Sequence, residues 1–359
     1  MHAIIMAGGS GTRFWPMSRK RRPKQLLPIF GDRSMLACTV ERIAPLARAE
    51  DMVVVTAGHL VGAVGLELPG LPEGNILAEP VGRNTAPCIG LAAHLILKRA
   101  RLLDPNADPL IGVFPSDHHI GDNDAFLHAI EIALEAAAEP GTIVTLGIRP
   151  NRPETGYGYI RFLPSVGSAL DVERFVEKPD LDTARAYLAT GSYLWNAGLF
   201  FFRASTILGE IERQLPEMAA GLALIAADLD TPQQDATLAR VFPTLQNISI
   251  DYGVMEGARR VKVVATNPKW SDVGHWAALP ELMTRDAQGN ATRGEALTVD
   301  TQNALVLNET PGHVVALVGV KDLVVVHTPD ATLVLPRERA QDVRSVIDAL
   351  QASGHGDKL

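Results

Sequence analysis

Gly8, Gly9 and Gly11, set in Met6-Ala7-Gly8-Gly9-Ser10-Gly11-Thr12-Arg13, are the residues whose types and spacing most plainly allow chemistry, and that chemistry is the gripping of an anion. Glycine reaches positive φ at little cost, so backbone N–H groups can close on a phosphate with no Cβ in the way. His2 to Ala7 supplies an apolar strand ahead of the loop. Arg13 and Lys24 add full positive charge, and with Arg19, Lys20, Arg21 and Arg22 they gather six cations near one end of a chain of net charge −8. A polyanionic ligand is the partner that this local charge predicts. The loop is neither of the two common nucleotide motifs. No lysine falls at the GxxxxGK[ST] spacing of a P-loop, and Phe14 stands where a dinucleotide fingerprint needs a third small residue. The plainer alternative is a glycine-rich turn beside a solvated basic face.

Further polar clusters lie where an open α/β sheet binds its ligands, at the carboxyl ends of strands. Glu79-Pro80-Val81-Gly82-Arg83-Asn84-Thr85 leads into a helix N-terminus, whose free N–H groups favour an anion or a base carbonyl. Asn84 and Thr85 could equally cap that helix, and Glu79 and Arg83 could form a structural ion pair. Asp117, in Phe114-Pro115-Ser116-Asp117-His118-His119, follows a buried strand, where a carboxylate needs a cation or donors. A magnesium ion would serve. The paired histidines suggest zinc less well, because consecutive residues do not easily face one ion and no HExxH pattern occurs. Asp272, in Trp270-Ser271-Asp272-Val273-Gly274-His275, is a second acid; if it converges with Asp117 the two make an oxygen-rich magnesium site, and otherwise it caps a helix starting near His275. Glu154-Thr155-Gly156-Tyr157-Gly158, Glu177-Lys178-Pro179 and Trp195-Asn196-Ala197-Gly198 combine tight turns with polar side chains, as a sugar pocket or as ordinary hairpin turns would.

The elements that must position these groups alternate short apolar runs with helical patterns up to about residue 150, the mark of βαβ units around a parallel sheet. Strands are predicted at 2–7, 52–55, 75–78, 110–114 and 142–146, with helices at 34–47, 84–103 and 123–138. Ser34 suits an N-cap. Beyond residue 150, Gly156 to Ile160 and Val172 to Val176 read as paired strands. Helices follow near 180–189 and 204–215, then a strand at 261–265 that returns to the core sheet and a closing helix from His275 to Thr284. The Asp286 to Asn290 stretch suggests a boundary near residue 290. The tail from Ala296 to Leu335 is strand-rich and ends in a helix from about Arg337 to Leu350. It shows no ionisable cluster to match those upstream, so its expected role is packing or oligomerisation.

At 359 residues and 47% hydrophobic content the chain can bury a large core, and two domains are expected. No stretch approaches the roughly 20 apolar residues needed to span a membrane, and the N-terminus has no leader pattern, so a cytoplasmic protein is expected. Only Cys38 and Cys88 occur, too few for a disulfide framework or a thiolate metal site. The basic cluster is local in an acidic chain, which argues against nucleic-acid binding and for a small polyphosphate.

Taken together, GGSGTRFWPMSRKRRPKQ, AEPVGRNTAP, FPSDHHI, ETGYGYI, VEKP, WNAGLF, SIDYGVME and WSDVGHW resemble the nucleotide-sugar pyrophosphorylases from residue 1 to about 280. RNTAP and the Asp-His-His segment are more similar to the guanylyl-transferring members than to the thymidylyl, uridylyl or adenylyl ones. The resemblance implies that GTP and mannose 1-phosphate give GDP-mannose and pyrophosphate. It implies an α/β fold: a Rossmann-like nucleotidyltransferase domain with a mostly parallel central sheet over residues 1–290, then a small strand-rich, β-helix-like domain over 291–359 that supports a homodimer. By the same similarity Gly8, Gly9, Ser10, Gly11, Thr12 and Arg13 hold the GTP phosphates, and Lys24 contacts them. Glu79, Arg83, Asn84 and Thr85 serve the guanine and ribose end. Asp117 and Asp272 bind Mg²⁺, or Mn²⁺. Gly156, Glu177, Lys178 and Asn196, with Asp251 of Ile250-Asp251-Tyr252-Gly253, contact the mannose phosphate.

The residue inventory agrees with that reaction. A sugar-phosphate oxygen is already anionic at neutral pH, so it can attack the α-phosphorus of GTP without a general base, and no activated Ser, Cys or His constellation is evident. The barrier is the meeting of two polyanions, which positioning and charge neutralisation by Arg13, Lys24, backbone N–H groups and Mg²⁺ lower. The rival expectations are a different sugar 1-phosphate such as a heptose, a regulatory subunit that binds a GDP-sugar without turnover, and a GTPase.

Overall fold

A computed structural model describes residues 1–9, 11–164 and 167–359. They form two compact units: Met1–Gly8, Ala37–Ser116 and Ile120–Trp270 make the first, and Gly9–Leu36, Asp117–His119 and Ser271–Leu359 the second.

The first unit is built on a nine-stranded sheet. Its strands are β1 (His2–Ala7), β2 (Met52–Ala57), β3 (Ile76–Glu79), β4 (Leu110–Pro115), β5 (Ile143–Ile148), β6 (Tyr159–Phe162), β7 (Leu170–Val176), β8 (Tyr193–Arg203) and β9 (Val261–Thr266). Their order is β3-β2-β1-β4-β8-β5-β9-β7-β6. β1 pairs in parallel with β2 and β4, β2 with β3, and β5 with β9, while β8 runs antiparallel between β4 and β5. Parallel strands are covered on both faces, which is why they read as unbroken apolar runs. Ile4 and Ile5 of β1 and Val54 of β2 are wholly buried.

The structure revises several expectations. β6 and β7 pair antiparallel, with Tyr159 opposite Val176, but β6 begins after the glycines of Gly156 to Gly158. Trp195 to Gly198 is no turn; it lies inside the eleven-residue β8. Gly198 sits at φ 68°, and the β5–β8 register shifts between Thr145 and Gly147, so the irregularity is absorbed within the sheet. Phe200, Phe201 and Phe202 continue β8 as fully buried core. The expected closing α-helix is instead a 3₁₀ helix, Trp276–Glu281, that contains Pro280, whose missing N–H interrupts an α-helical ladder.

Helix Thr85–Leu103 is capped by Asn84, whose Oδ1 accepts the Thr85 N–H at 3.0 Å. Helix Asn123–Ala137 is capped by Asp122, which accepts from Ala125 at 3.0 Å. Among the described residues no helix is long and apolar enough to cross a membrane.

The second unit carries β10 (Ala291–Arg293), β11 (Ala296–Val299), β12 (Leu305–Asn308), β13 (Val315–Val318), β14 (Leu323–Thr328) and β15 (Ala331–Pro336). Ala291, Leu305 and Val324 stack in parallel register, as do Ala296 and Val315 on the neighbouring face, so successive rungs coil as a β-helix. β15 closes the coil antiparallel to β14. Its core buries Phe14, Trp15, Leu27, Trp276, Leu305 and Val343 together. Phe14 meets Trp276 edge-on with ring centroids 4.7 Å apart, and Trp276 Nε1 donates to the Trp15 carbonyl at 3.1 Å. The glycine loop therefore leads into a turn anchored by aromatic packing.

Two hydroxyls determine where β1 ends. Thr56 Oγ1 donates to the Ala7 carbonyl at 3.0 Å and Ser116 Oγ to the Met6 carbonyl at 2.8 Å. Thr56 is fully buried. Replacing it with the isosteric valine removes the donor without changing shape. Thr56→Val is expected to lower stability by about 1 kcal/mol, read as a lower urea midpoint at unchanged slope; an unchanged midpoint would show that the clamp contributes nothing.

Candidate functional site

The second unit holds a cavity of about 300 Å³ lined by Gly11, Thr12, Arg13, Lys24, Asp117 and Asp272. Thr12–Phe14 forms a short 3₁₀ turn entered through Gly11, which has φ 58°. A Cβ on Gly11 would lie 2.4 Å from the Lys24 backbone nitrogen, so only glycine lets the loop close on the segment bearing Lys24. Ser10 lies outside the described residues.

Lys24 is only 5% exposed. Its Nζ donates to Asp117 Oδ2 at 2.9 Å and to the Asp272 backbone carbonyl at 2.6 Å, and it lies 5.4 Å from the Phe14 ring centroid. Burial pushes the Asp117 carboxyl up, but the Lys24 ammonium beside it, His118 and the Lys24 hydrogen bond outweigh that and hold it below the usual carboxylate range. Asp117 is therefore anionic at neutral pH. His275, without a side-chain capping bond, is the N-cap of the following 3₁₀ helix, so Asp272 does not cap it.

Only two of the six clustered cations, Arg13 and Lys24, line this cavity. Arg19 instead pairs with Asp330 at 2.8 Å, and Lys20, Arg21 and Arg22 are solvent-exposed. The cavity takes a third cation that the sequence did not suggest: Arg344, from the C-terminal helix Val343–Ala352. No glycine or acidic motif surrounds Arg344, so no local signal marked it.

Asp117 and Asp272 lining one cavity is a donor set that suits Mg²⁺, which takes one or two carboxylates and completes its shell with water and phosphate oxygens. Among the described residues no group of three or more His, Cys, Asp or Glu is arranged to hold a metal. An ion here would depend on substrate oxygens.

The first unit carries two further clusters. In one, Asn196 of β8 is 9% exposed and fully oriented by its neighbours. Its Oδ1 accepts from Thr145 Oγ1 and the Gly198 N–H, each at 3.1 Å, and its Nδ2 donates to Asp251 Oδ1 at 2.9 Å. Glu177 forms an ion pair with Lys178, which has φ 46°. Gly158, rather than Gly156, is the glycine this cluster needs: its carbonyl accepts the Asn196 N–H at 2.8 Å, and a Cβ there would lie 2.6 Å from Glu177 Oε2. The Gly156 N–H is donated to Glu154 instead. Burial, reinforced by Glu177, pushes the Asp251 carboxyl up to about 6 against its own backbone hydrogen bond, Lys178 and Asn196. Thr145 was invisible to sequence reasoning because it reads as one more residue of an apolar strand.

In the other cluster Glu79 ends β3 at 7% exposure. Burial pushes its carboxyl up to about 7, and its Oε1 lacks a hydrogen-bond partner among the described residues. Gly8 faces it, with a Cβ position 3.9 Å from Oε2. Arg83 donates to the Pro243 carbonyl and the Thr85 hydroxyl accepts the Ile250 N–H at 2.8 Å, so both are engaged by the chain itself; Glu79 and Arg83 form no ion pair. The Thr85 bond also fixes the start of the short helix Ile250–Gly253 that carries Asp251.

The chain is similar to known proteins along nearly its whole length. The nucleotidyl transferase family profile matches residues 2–289, and that of the MannoseP isomerase/GMP-like beta-helix domain matches residues 294–350. Xanthan biosynthesis protein XanB of Xanthomonas campestris pv. campestris is 43% identical across 99% of the chain and 74% of its own length. The mannose-1-phosphate guanylyltransferase of Escherichia coli is 42% identical across 99% of the chain and 74% of its own length. A crystal structure from Thermus thermophilus, described as a mannose-1-phosphate geranyltransferase, superposes with a TM-score of 0.86 at 38% identity, covering 98% of this chain and 99% of that one.

The Asp251 environment generates a pH prediction. A carboxyl whose folded value is raised from 3.8 to about 6 favours the folded state while protonated, so this contribution is complete below about pH 4 and is lost as pH rises to about 6. Asp251→Asn abolishes that loss. The variant is expected to match the wild type near pH 4 and to exceed it by about 2 kcal/mol at pH 7.5, as measured by urea unfolding at the two pH values. A constant difference across the window would refute the assignment.

Proposed function

The chain belongs to the nucleotidyl transferase family, among its mannose-1-phosphate guanylyltransferases, and from that premise we propose how its residues perform the reaction. It transfers GMP from GTP to mannose 1-phosphate, giving GDP-mannose and pyrophosphate. The observation that carries the residue assignment is the Lys24 ammonium held between Asp117 and the Asp272 carbonyl in the cavity of the glycine loop.

Gly8, Gly9, Ser10, Gly11 and Thr12 cradle the triphosphate with backbone N–H groups, and Arg13 and Lys24 neutralise it. A mannose 1-phosphate oxygen, anionic without assistance, forms a bond to the α-phosphorus as the bond to the bridging oxygen of the β-phosphate breaks. The electron pair leaves with pyrophosphate. Charge accumulates on the α-phosphoryl oxygens and the leaving group, where fixed cations act most strongly. Asp117 sets the place of Lys24 and, with Asp272, would hold Mg²⁺, or Mn²⁺; bound there, the ion would neutralise phosphate charge.

The unpartnered Oε1 of Glu79 can accept from the N1–H or amino group of guanine, which supports its place at the base end. Arg83, Asn84 and Thr85 then shape that end through the backbone they fix. Glu177, Lys178, Asn196 and Asp251, with Gly156 and Gly158 in the adjoining turn, meet the mannose phosphate. Lys178 offers the cation for its phosphate, and the oriented Asn196 amide and Asp251 suit sugar hydroxyls. We assign residues 1–290 to the transferase and 291–359 to a structural or dimer-forming part of a cytoplasmic homodimer. The exposed Leu297, Val299 and Val318 of β11 and β13 support that role, and a monomeric mass by light scattering would refute it.

Pyrophosphate release with Mg²⁺ is expected to require both GTP and mannose 1-phosphate, with ATP, UTP, dTTP and other sugar 1-phosphates poor substitutes. Release with a different pair would reassign the substrates, and binding of GDP-mannose without release under any pair would mark a non-catalytic subunit. Lys24→Ala and Asp117→Asn are each expected to lower kcat by about 10² to 10³. A loss below about threefold at saturating substrates would remove that residue from the mechanism.

A further inference from the structure

Arg344 is the one cation of the glycine-loop cavity that comes from the C-terminal part of the chain. It stands in the first turn of helix Val343–Ala352 and is solvent-exposed. Among the described residues its guanidinium makes no hydrogen bond or ion pair, and neither does that of Arg13. The helix bearing Arg344 is not loosely placed. Val343 is fully buried in the same core as Phe14 and Trp15, and Val346, Ile347 and Leu350 pack against it. Trp15 Nε1 also donates to the Lys358 carbonyl at 2.9 Å, tying the end of the chain to the loop turn.

Charge decides what this arrangement is for. Arg13 and Lys24 only balance Asp117 and Asp272, and Lys24 is already engaged with Asp117. Without Arg344 the cavity would carry no net charge from these groups with which to receive a triphosphate. With it, the cavity has two uncommitted guanidinium groups, whose planar donor forks match phosphate oxygens in pairs. We infer that Arg344 binds the β- and γ-phosphates of GTP and so holds the pyrophosphate leaving group, which makes the C-terminal helix part of the nucleotide site and not only a structural appendage. The need is greatest late in the reaction, because the leaving group gains a negative charge as its bond to the α-phosphorus breaks.

This inference rests on reading the cavity as the GTP triphosphate site, and the experiment separates the two. Kinetics are measured in both directions for the wild type, Arg344→Ala and Arg344→Lys, with Arg339→Ala as a control at an exposed position outside the cavity. Arg344→Ala is expected to raise KM for pyrophosphate and for GTP about tenfold, while KM for mannose 1-phosphate and for GDP-mannose changes less than about twofold. Arg344→Lys should recover part of the loss, and Arg339→Ala should stay at wild-type values. Equal rises for all four substrates, or a pyrophosphate KM within about twofold of wild type, would overturn the assignment. Calorimetric titration with pyrophosphate and Mg²⁺ needs no turnover and judges Arg344 even if GTP and mannose 1-phosphate prove to be the wrong substrates. Weaker binding by Arg344→Ala, with the melting temperature unchanged, supports it; equal binding, or no binding by the wild type, refutes it.

Discussion

The pairing of the buried Lys24 ammonium with Asp117 and the Asp272 carbonyl is the interaction on which the glycine-loop cavity depends. A lysine 5% exposed is stable only where donors and charge compensate for lost hydration. Its two oxygen partners lie 93 and 248 residues away in sequence, so satisfying one ammonium brings three distant segments together. The same pairing explains why the half-buried Asp117 stays anionic although desolvation opposes its charge. Phe14 packs against Trp276 and under the lysine, so the loop cannot drift from the segment that bears Asp272. The lysine and its two oxygen partners fix the cavity wall, while the excess positive charge comes from Arg13 and Arg344.

The first unit solves a different problem, the orientation of buried neutral and acidic groups against one another. Asn196 is held from three sides, by Thr145, by the Gly198 N–H and by Asp251, so its amide cannot flip without losing hydrogen bonds inside the sheet. Asp251 bears the cost of burial beside Glu177, and this raised carboxyl is the kind of locally unfavourable arrangement that binding groups tolerate. Lys178 and Asn84 both adopt positive φ without being glycine, one beside Glu177 and one at the start of helix Thr85–Leu103. Such strain is retained where a side chain must point in one direction.

Local signals and long-range ones differ in legibility. The glycine loop, the helix cap at Asn84 and the parallel strands β1 to β4 can be read because each depends on neighbours within a few residues. The hairpin of β6 and β7 can be read as well, though its first strand starts after the glycines that suggest it. The β8 strand is harder: Gly198 interrupts its apolar run, and only the sheet shows that the interruption is a bulge. The basic run promises more than it delivers, because charge density alone does not say which side chains turn inward. Arg19 is held by Asp330, while Arg13 and Lys24 face the cavity.

By itself the sequence determined the family and the order of strands β1 to β4 with the helices between them, and it offered a glycine-rich anion loop and two isolated acids as candidates for the chemistry. Backbone propensity, glycine spacing and apolar periodicity are local properties, and they survive in a linear string. Only the tertiary structure decided which carboxylate Lys24 meets, which glycine lies against Glu177, and that Arg344 joins a cavity begun by Gly11. Those outcomes depend on packing between segments separated by tens to hundreds of residues, where close contact and electrostatic compensation select partners that no local pattern encodes.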